Sequence, residues 1–326
     1  MSYKVSVIVP VYNVSSYIER CARSLFNQTL REIEYIFVND ATPDDSMEKL
    51  SVVIAEYPHR QSDIKIINHT ENQGTSIAKG TAIQISFGEY ISIVDSDDYI
   101  EPDMMESLYR KAVDENAEIV VSDMILEYKN SSVLVEDCLS ENSDDHLKDI
   151  IENERTLSFL CGKLILSTLY KNPDCVLPEG LNYYEDRHVT TRLYYYAKKI
   201  VKIKKAFYHY TQYNTNSITK NKTKMHFENV LLFWNLLDEF LETHNEYEKH
   251  KDITNKSKIQ NKVQLMLETH YPYLRKEYAN MFLEEEKTVN LKNFRRGERI
   301  MLFLVRHKWF YFAHLFHVIL FIKNGK

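Results

Sequence analysis

Apolar residues recur along the first part of the chain in two alternating rhythms. Lys4–Pro10 is β-branched and carries no charge after Lys4, as expected of a strand buried on both faces. Ser16 and Glu19 are spaced as a capping box, followed by a stripe of Ile18, Cys21, Ala22 and Leu25 that predicts a helix. Glu34–Val38 is a second strand. Asp44 or Asp45 can cap the next helix, striped by Met47, Leu50, Ile54 and Tyr57. Ile64–Asn68 is a third strand, followed by a helix through Ile77, Ala78, Ala82 and Ile85. Tyr90–Val94 is a fourth, ending in Asp95-Ser-Asp-Asp98, with Pro102 opening another helix and Glu118–Ser122 a fifth strand. This rhythm predicts an α/β fold, a parallel sheet flanked by helices with right-handed crossovers. Ligands of such sheets bind beyond the carboxyl ends of the strands, here Pro10–Asn13, Asn39–Asp45, Asn68–Gly74 and Asp95–Asp98. Residues Glu127–Asn153 are acidic and irregular, an expected insertion or lid. Periodicity returns at Leu157–Tyr170, and after Lys220 the pattern is helical.

Composition narrows the partners. The net charge of -6 argues against nucleic acid. From Lys292 to Lys326 the chain carries +7, leaving -13 over the rest. The four cysteines (Cys21, Cys138, Cys161 and Cys175) show no CxxC pair and no metal-ligand spacing, so reduced thiols in a cytoplasmic protein are expected. The beginning MSYKVSVIVP lacks a basic region followed by an apolar stretch, so no secretory signal is expected. Trp309–Ile322, the longest apolar run, is shorter than the ~20 residues a membrane span needs. Around it, residues 294–326 mix Arg295, Arg296, Arg299, Arg306 and Lys308 with aromatics. They suit either an anionic membrane surface, at the inner face of the cytoplasmic membrane, or a packed helix with solvated charges.

The chemistry sits in acidic clusters. The first βα turn, Val9–Asn13, has neither a GxGxxG nor a Walker glycine pattern. That excludes a nicotinamide oxidoreductase, and a sugar-phosphate nucleotidyltransferase would want a glycine-rich, basic first loop. Asp95 and Asp97 lie two apart just past a buried strand, where they would repel unless a cation joined them, and hard oxygen ligands suit Mn2+ or Mg2+. Asp40 directly follows another strand and can accept hydrogen bonds from a base such as uracil. In Tyr183-Tyr-Glu-Asp186 the acid pair either complements a helix dipole or supplies a general base.

In their order and separations, VSVIVPVYN (5–13), VNDATPDDS (38–46), ENQGTSIAKG (71–80), GEYISIVDSDDYIEPD (88–103), GKL (162–164), LPEGLNYYEDRHV (177–189) and FYHYTQYNTNSIT (207–219) resemble the family 2 glycosyltransferases of bacterial capsule, O-antigen and exopolysaccharide synthesis. The resemblance covers residues 1–220. It implies a GT-A catalytic domain there, a Rossmann-like mostly parallel sheet flanked by helices, with a nucleotide-sugar half (1–125) and an acceptor half (126–220), before a helical region at 221–326. It implies an inverting transfer from a nucleotide sugar, UDP-linked for preference, to a saccharide or polyprenol-linked saccharide. By resemblance Pro10, Tyr12 and Asp40 surround the base, Asp95 meets the ribose or metal, and Asp97 coordinates Mn2+ or Mg2+. Ser217 stands near the diphosphate, and Val11, Asn13, Asn72, Gly74, Lys79 and Ser96 complete the donor site. Asp186 is the expected base, with Glu185 supporting it or touching the acceptor. His209 is a candidate late metal ligand, while Tyr213 occupies another place where such a histidine would stand. The chain departs from the family in Asn39-Asp-Ala-Thr42, where DDGS is common, and in Lys79, where Arg is usual. The alternative function is a non-catalytic nucleotide-sugar-binding partner in a biosynthetic complex.

Overall fold

The computed structural model describes residues 3–139, 145–152, 158–215, 224–268 and 272–323. The chain divides into two compact units, residues 1–217 and 218–326.

In the first unit β1 (Val5–Val11) lies between β2 (Ile33–Asn39) and β4 (Tyr90–Ile93), and β3 (Ile64–Asn68) pairs with β2, all parallel. Strand alternation assigns the faces. Val5, Val7, Val9 and Val11 join one core with residues of α1 (Ile18–Phe26), α2 (Ser46–Glu56) and α4 (Met104–Glu115). The next helix, α3 (Thr75–Gln84), packs on β1 and β2 with Ala78 and Ala82 buried.

Beyond β4 the sheet changes character. β8 (Lys163–Leu166) runs antiparallel to both β4 and β6 (Ile119–Glu127), and β7 (Ser132–Val135) runs antiparallel to β6. β9 (Ile200–Thr211) is parallel to β6, and the two-residue β5 (Tyr99–Ile100) is antiparallel to β9. The order is β3-β2-β1-β4-β8-β6-β9-β5, with β7 beside β6. The parallel half follows the periodicity of the sequence; the other half is mixed because β8 threads antiparallel between β4 and β6.

Two local expectations change. Tyr17, with no side-chain cap bond, is the N-cap of α1, so the Ser16–Glu19 capping box is not made. Glu19 pairs with Arg23 instead, and Ser15 is drawn to Asp44 and Asp45. The stretch expected to be irregular contains β7 and α5 (His146–Glu152).

Strand order reverses at β1, whose neighbours β2 and β4 follow it on opposite sides, and that is where a crevice opens in such sheets. The pairing with β4 stops at Ile8↔Ile93, with Val94 N–H still donating to the Ile8 carbonyl. Pro10 therefore projects its donor-less nitrogen past the end of β4, where no ladder bond is lost. Across the crevice stands α6 (Glu185–Tyr196), buried over most of its length.

The second unit comprises α7 (Lys224–Thr243), α8 (Tyr247–Glu268), α9 (Pro272–Ala279), α10 (Leu283–Thr288), α11 (Arg296–Arg306) and α12 (Phe310–Lys323). Val230, Phe233, Trp234, Leu237, Ile259 and Val263 are fully buried. Among the described residues, no helix is long and apolar enough to cross a membrane.

Candidate active site

Chain reversals at the carboxyl ends of β1, β2 and β4 deliver the acidic segments. After β2, Asp40 is buried and engaged. Its Oδ1 is 2.8 Å from His69 Nδ1 and accepts from Gln73 N–H (2.9 Å), and its Oδ2 accepts from Gly74 N–H (2.8 Å). A carboxylate offers about four acceptor sites, so one remains beside the three protein donors. Asp40 thus fastens the loop that starts α3. Asn72 caps the same loop, its Oδ1 accepting from Gly74 N–H at 3.1 Å. Gly74, at φ 91°, has no substitute: a Cβ there would lie 2.3 Å from Asn182 Oδ1, in the segment leading to α6.

Asp95, Ser96, Asp97 and Asp98 follow β4. Asp98 is buried and acts as their anchor, accepting from Tyr208 O–H and Thr211 N–H, both at 2.7 Å. Burial, then Asp97 and Asp95, push the Asp98 carboxyl well above the ordinary carboxylate range. Ser96 is buried. Asn214 Nδ2 donates to Asp97 Oδ2 at 2.8 Å. The Asp95 side chain keeps 31% of its surface exposed, yet protein surrounds it closely enough that desolvation, opposed by Lys79 and reinforced by Asp186, Asp97 and Glu185, pushes its pKa up to about 7.

The connection to the acceptor side is Lys79, on α3 and only 2% exposed. Its Nζ lies 2.6 Å from Asp186 Oδ1, 3.3 Å from Glu185 Oε1 and 4.0 Å from Asp95 Oδ1. Burial alone would lower the lysine pKa; Asp186, Glu185 and Asp95 outweigh it and raise it well above normal. Burial and Asp186 raise the Glu185 carboxyl against the pull of Lys79. Asp186 Oδ2 also accepts from Leu160 N–H at 3.1 Å. Just before the acid pair, Tyr184 adopts φ 76°, a left-handed conformation that costs a non-glycine residue about 1 kcal/mol and holds the turn where its acids face Lys79. Three carboxylates thus share one lysine, and two of them are raised.

The structure brings Asp95, Lys79, Glu185 and Asp186 together, with Asp97 two residues from Asp95 and Asp40 hydrogen-bonded to the loop into α3. At the rim, Val11 is buried, Pro10 is half-buried, Tyr12 is exposed, and Asn13 (φ 54°) donates its N–H to Thr42 Oγ1. Lys79 is buried with its charge engaged by Asp186 and Glu185. One expectation is corrected. His209 does not turn toward Asp97: Nδ1 lies 2.8 Å from Glu127, Nε2 lies 2.9 Å from Glu101, and its ring stacks on Tyr99 at 4.2 Å. Ser217 lies outside the described residues.

Arg20 was not singled out by any motif. From α1 it donates to Tyr213 O–H (2.5 Å), Thr211 Oγ1 (2.8 Å) and the Asp97 carbonyl (3.1 Å), with its guanidinium 4.2 Å from the Tyr99 ring centre. It fixes the backbone of the acidic turn. Only the long-range pairing of β5 with β9 reveals it. Asn214 was missed for the same reason, and His69 because the pairing of β2 with β3 sets it beside Asp40.

Among the described residues no group of three or more His, Cys, Asp and Glu side chains is arranged to hold a metal by itself. The donor set nevertheless fits a small hard cation, which keeps waters and takes one or two carboxylates plus substrate phosphates. Asp95, raised to about 7 by its acidic neighbours, is a carboxylate that a cation would relieve.

The family model for glycosyl transferase family 2 matches residues 6–157. EpsH, a putative glycosyltransferase of Bacillus subtilis (strain 168), is 30% identical over 254 residues, 76% of this chain and 72% of its own length. The chain belongs to glycosyl transferase family 2. The fold is also that of S. aureus TarS 1–349, solved with UDP-GlcNAc (19% identity, TM-score 0.62, 99% of this chain and 92% of that one). A mannosyltransferase of Pyrobaculum calidifontis, solved with GDP-Man and Mn2+, shares it more distantly (16% identity, TM-score 0.52, 99% and 87%).

Proposed function

We propose that this transferase moves a sugar, with inversion, from a nucleoside-diphosphate sugar, UDP-linked for preference, to a hydroxyl of a saccharide or polyprenol-linked saccharide in bacterial surface-polysaccharide synthesis. The observation that carries the reading is the Lys79 bridge, which places Asp186 within one ammonium group of Asp95. The donor-side acids and a general base then work in one crevice. The complexes of the two fold neighbours, with UDP-GlcNAc in one and GDP-Man with Mn2+ in the other, support a nucleotide-sugar donor and a cation.

Asp186 takes the proton of the acceptor hydroxyl as its oxygen attacks the anomeric carbon. The bond from that carbon to the diphosphate oxygen breaks on the opposite side, its electrons leaving with the nucleotide. Lys79 and Leu160 N–H hold one oxygen each, so the carboxylate is aimed, with lone pairs left for the incoming proton. Glu185 supports this pair or meets the acceptor. Asp97 and Asp95 would hold Mn2+ or Mg2+, which when bound offsets the charge of the departing diphosphate. Asp40 serves the donor by fixing the loop from His69 to Gly74. NMR of the product formed from a panel of nucleotide sugars tests the reading. Inversion at the anomeric carbon is expected; retention would remove Asp186 from the role of base.

A further inference from the structure

The second unit carries an exposed basic and aromatic surface. On α11 the residues left in solvent are Arg296, Arg299, Phe303 and Arg306, spaced three or four apart and therefore on one face; Met301, Leu302 and Val305 are buried behind them. This face runs into a chain of exposed rings. Phe303 lies 4.2 Å from the His307 ring and 6.0 Å from Trp309, Trp309 lies 6.0 Å from Phe312, and Phe312 lies 5.8 Å from Tyr311. Trp309 is 50% exposed, Phe312 55% and Tyr311 76%, and Leu315 is exposed one helical turn beyond Tyr311. Clusters of exposed aromatics of this kind mark binding surfaces. The segment itself is basic: from Lys292 to the last residue Glu298 is its one acid, while Arg295, Arg296, Arg299 and Lys308 are exposed; Glu284 and Glu286 of α10 lie beside Arg306. Arg306 is the exception in use, since it pairs with Glu286.

We propose that this face of α11, with the loop and first turn of α12, rests on the surface of an anionic lipid bilayer. Tryptophan and tyrosine favour the headgroup level, where a ring meets acyl chains and a polar edge meets water. The basic rim is attracted to anionic lipid headgroups, and a protein partner recognised by the same rim would have to be acidic and apolar together. The surface lies on the bilayer and does not cross it, because no described helix is long and apolar enough to span one. This inference is independent of the catalytic reading.

The two tryptophans make the test direct. Trp234 is fully buried and Trp309 half exposed, so solvent-sensitive emission reports Trp309. Full-length protein mixed with vesicles of phosphatidylglycerol and phosphatidylcholine should float with them, and its emission should shift to the blue. With phosphatidylcholine alone both effects should be weak. Trp309→Phe should remove the shift while the Trp234 signal persists, showing an intact fold. Arg299→Gln and Lys308→Gln should each weaken partitioning about fivefold, and Tyr311→Ser with Phe312→Ser should abolish flotation. Recovery of the unmodified protein in the soluble fraction with unchanged emission overturns the proposal. So does light scattering that shows a dimer broken by Tyr311→Ser and Phe312→Ser without vesicle binding, which would assign the surface to a second copy of the chain.

Discussion

Each unit of the molecule buries a charge cluster, and the two are balanced differently. In the helical unit Lys258 lies 2.5 Å from Asp238 and 3.1 Å from Glu285, while Lys262 (2.5 Å) and Arg306 both meet Glu286. Three cations answer three acids. An open groove of about 550 Å3 is lined there by Leu283, Glu284, Glu286, Lys287 and Arg306, but Glu284 and Lys287 pair, as do Glu286 and Arg306. In the catalytic unit one lysine, Lys79, answers Asp95, Glu185 and Asp186, with Asp97 adding repulsion. A balanced cluster is complete as folded and holds helices together. One with surplus acid carries an electrostatic cost until a cation or a proton arrives, and it is open to chemistry for that reason.

The sharpest way to separate the two is to neutralise an acid in each. Asp186→Asn keeps the shape of the crevice and removes the base. Turnover should fall at least 1,000-fold, about 4 kcal/mol, while calorimetry finds donor affinity changed less than threefold. Glu286→Gln should leave turnover per folded molecule intact and cost about 3 kcal/mol of stability in urea denaturation, because the buried Lys262 loses its counter-charge. Substantial stabilisation by Glu286→Gln would erase the distinction between the clusters.

Asp95→Asn should act in the opposite direction. A carboxyl whose folded pKa lies near 7, above its unfolded value, favours the fold while protonated. That contribution is full below the unfolded pKa of about 4 and is lost as pH rises through about 7. At pH 8 the folded protein must hold the ionised form, so the amide should stabilise by about 1 kcal/mol, two to four degrees in melting temperature. The gain should shrink at pH 5. Scanning calorimetry in chelator at both pH values checks the sign, and a larger gain at pH 5 would contradict it. Backbone strain gives the smallest test. Ala41 sits at φ 53°, at the position where glycine is common in DDGS. Ala41→Gly should stabilise by about 0.5–1 kcal/mol through relief of the left-handed penalty, with turnover unchanged within twofold.

The parallel strands and their helices were legible because each repeats a period within a dozen residues. Asp95, Asp97, Glu185 and Asp186 were legible as acids at strand or helix ends. The partnerships were not. The bond from Arg20 to Tyr213 spans 193 positions and that from Lys79 to Asp186 spans 107, and no local pattern encodes either. β5 has two residues, too few to alternate, and β9 carries Lys202, Lys204 and Lys205, which mask its strand period. His209 was a candidate metal ligand through the family resemblance; the register that pairs it with Tyr99 gives its nitrogens to Glu101 and Glu127.

Titration of UDP into the full-length protein by calorimetry, in Mn2+ and again in chelator, with Asp97→Asn alongside, tests the surplus-acid crevice most directly. Binding that requires Mn2+ and disappears in Asp97→Asn is the expected result. Equal UDP affinity in chelator, or an Asp97→Asn variant that binds UDP with Mn2+ as the unmodified protein does, would contradict it.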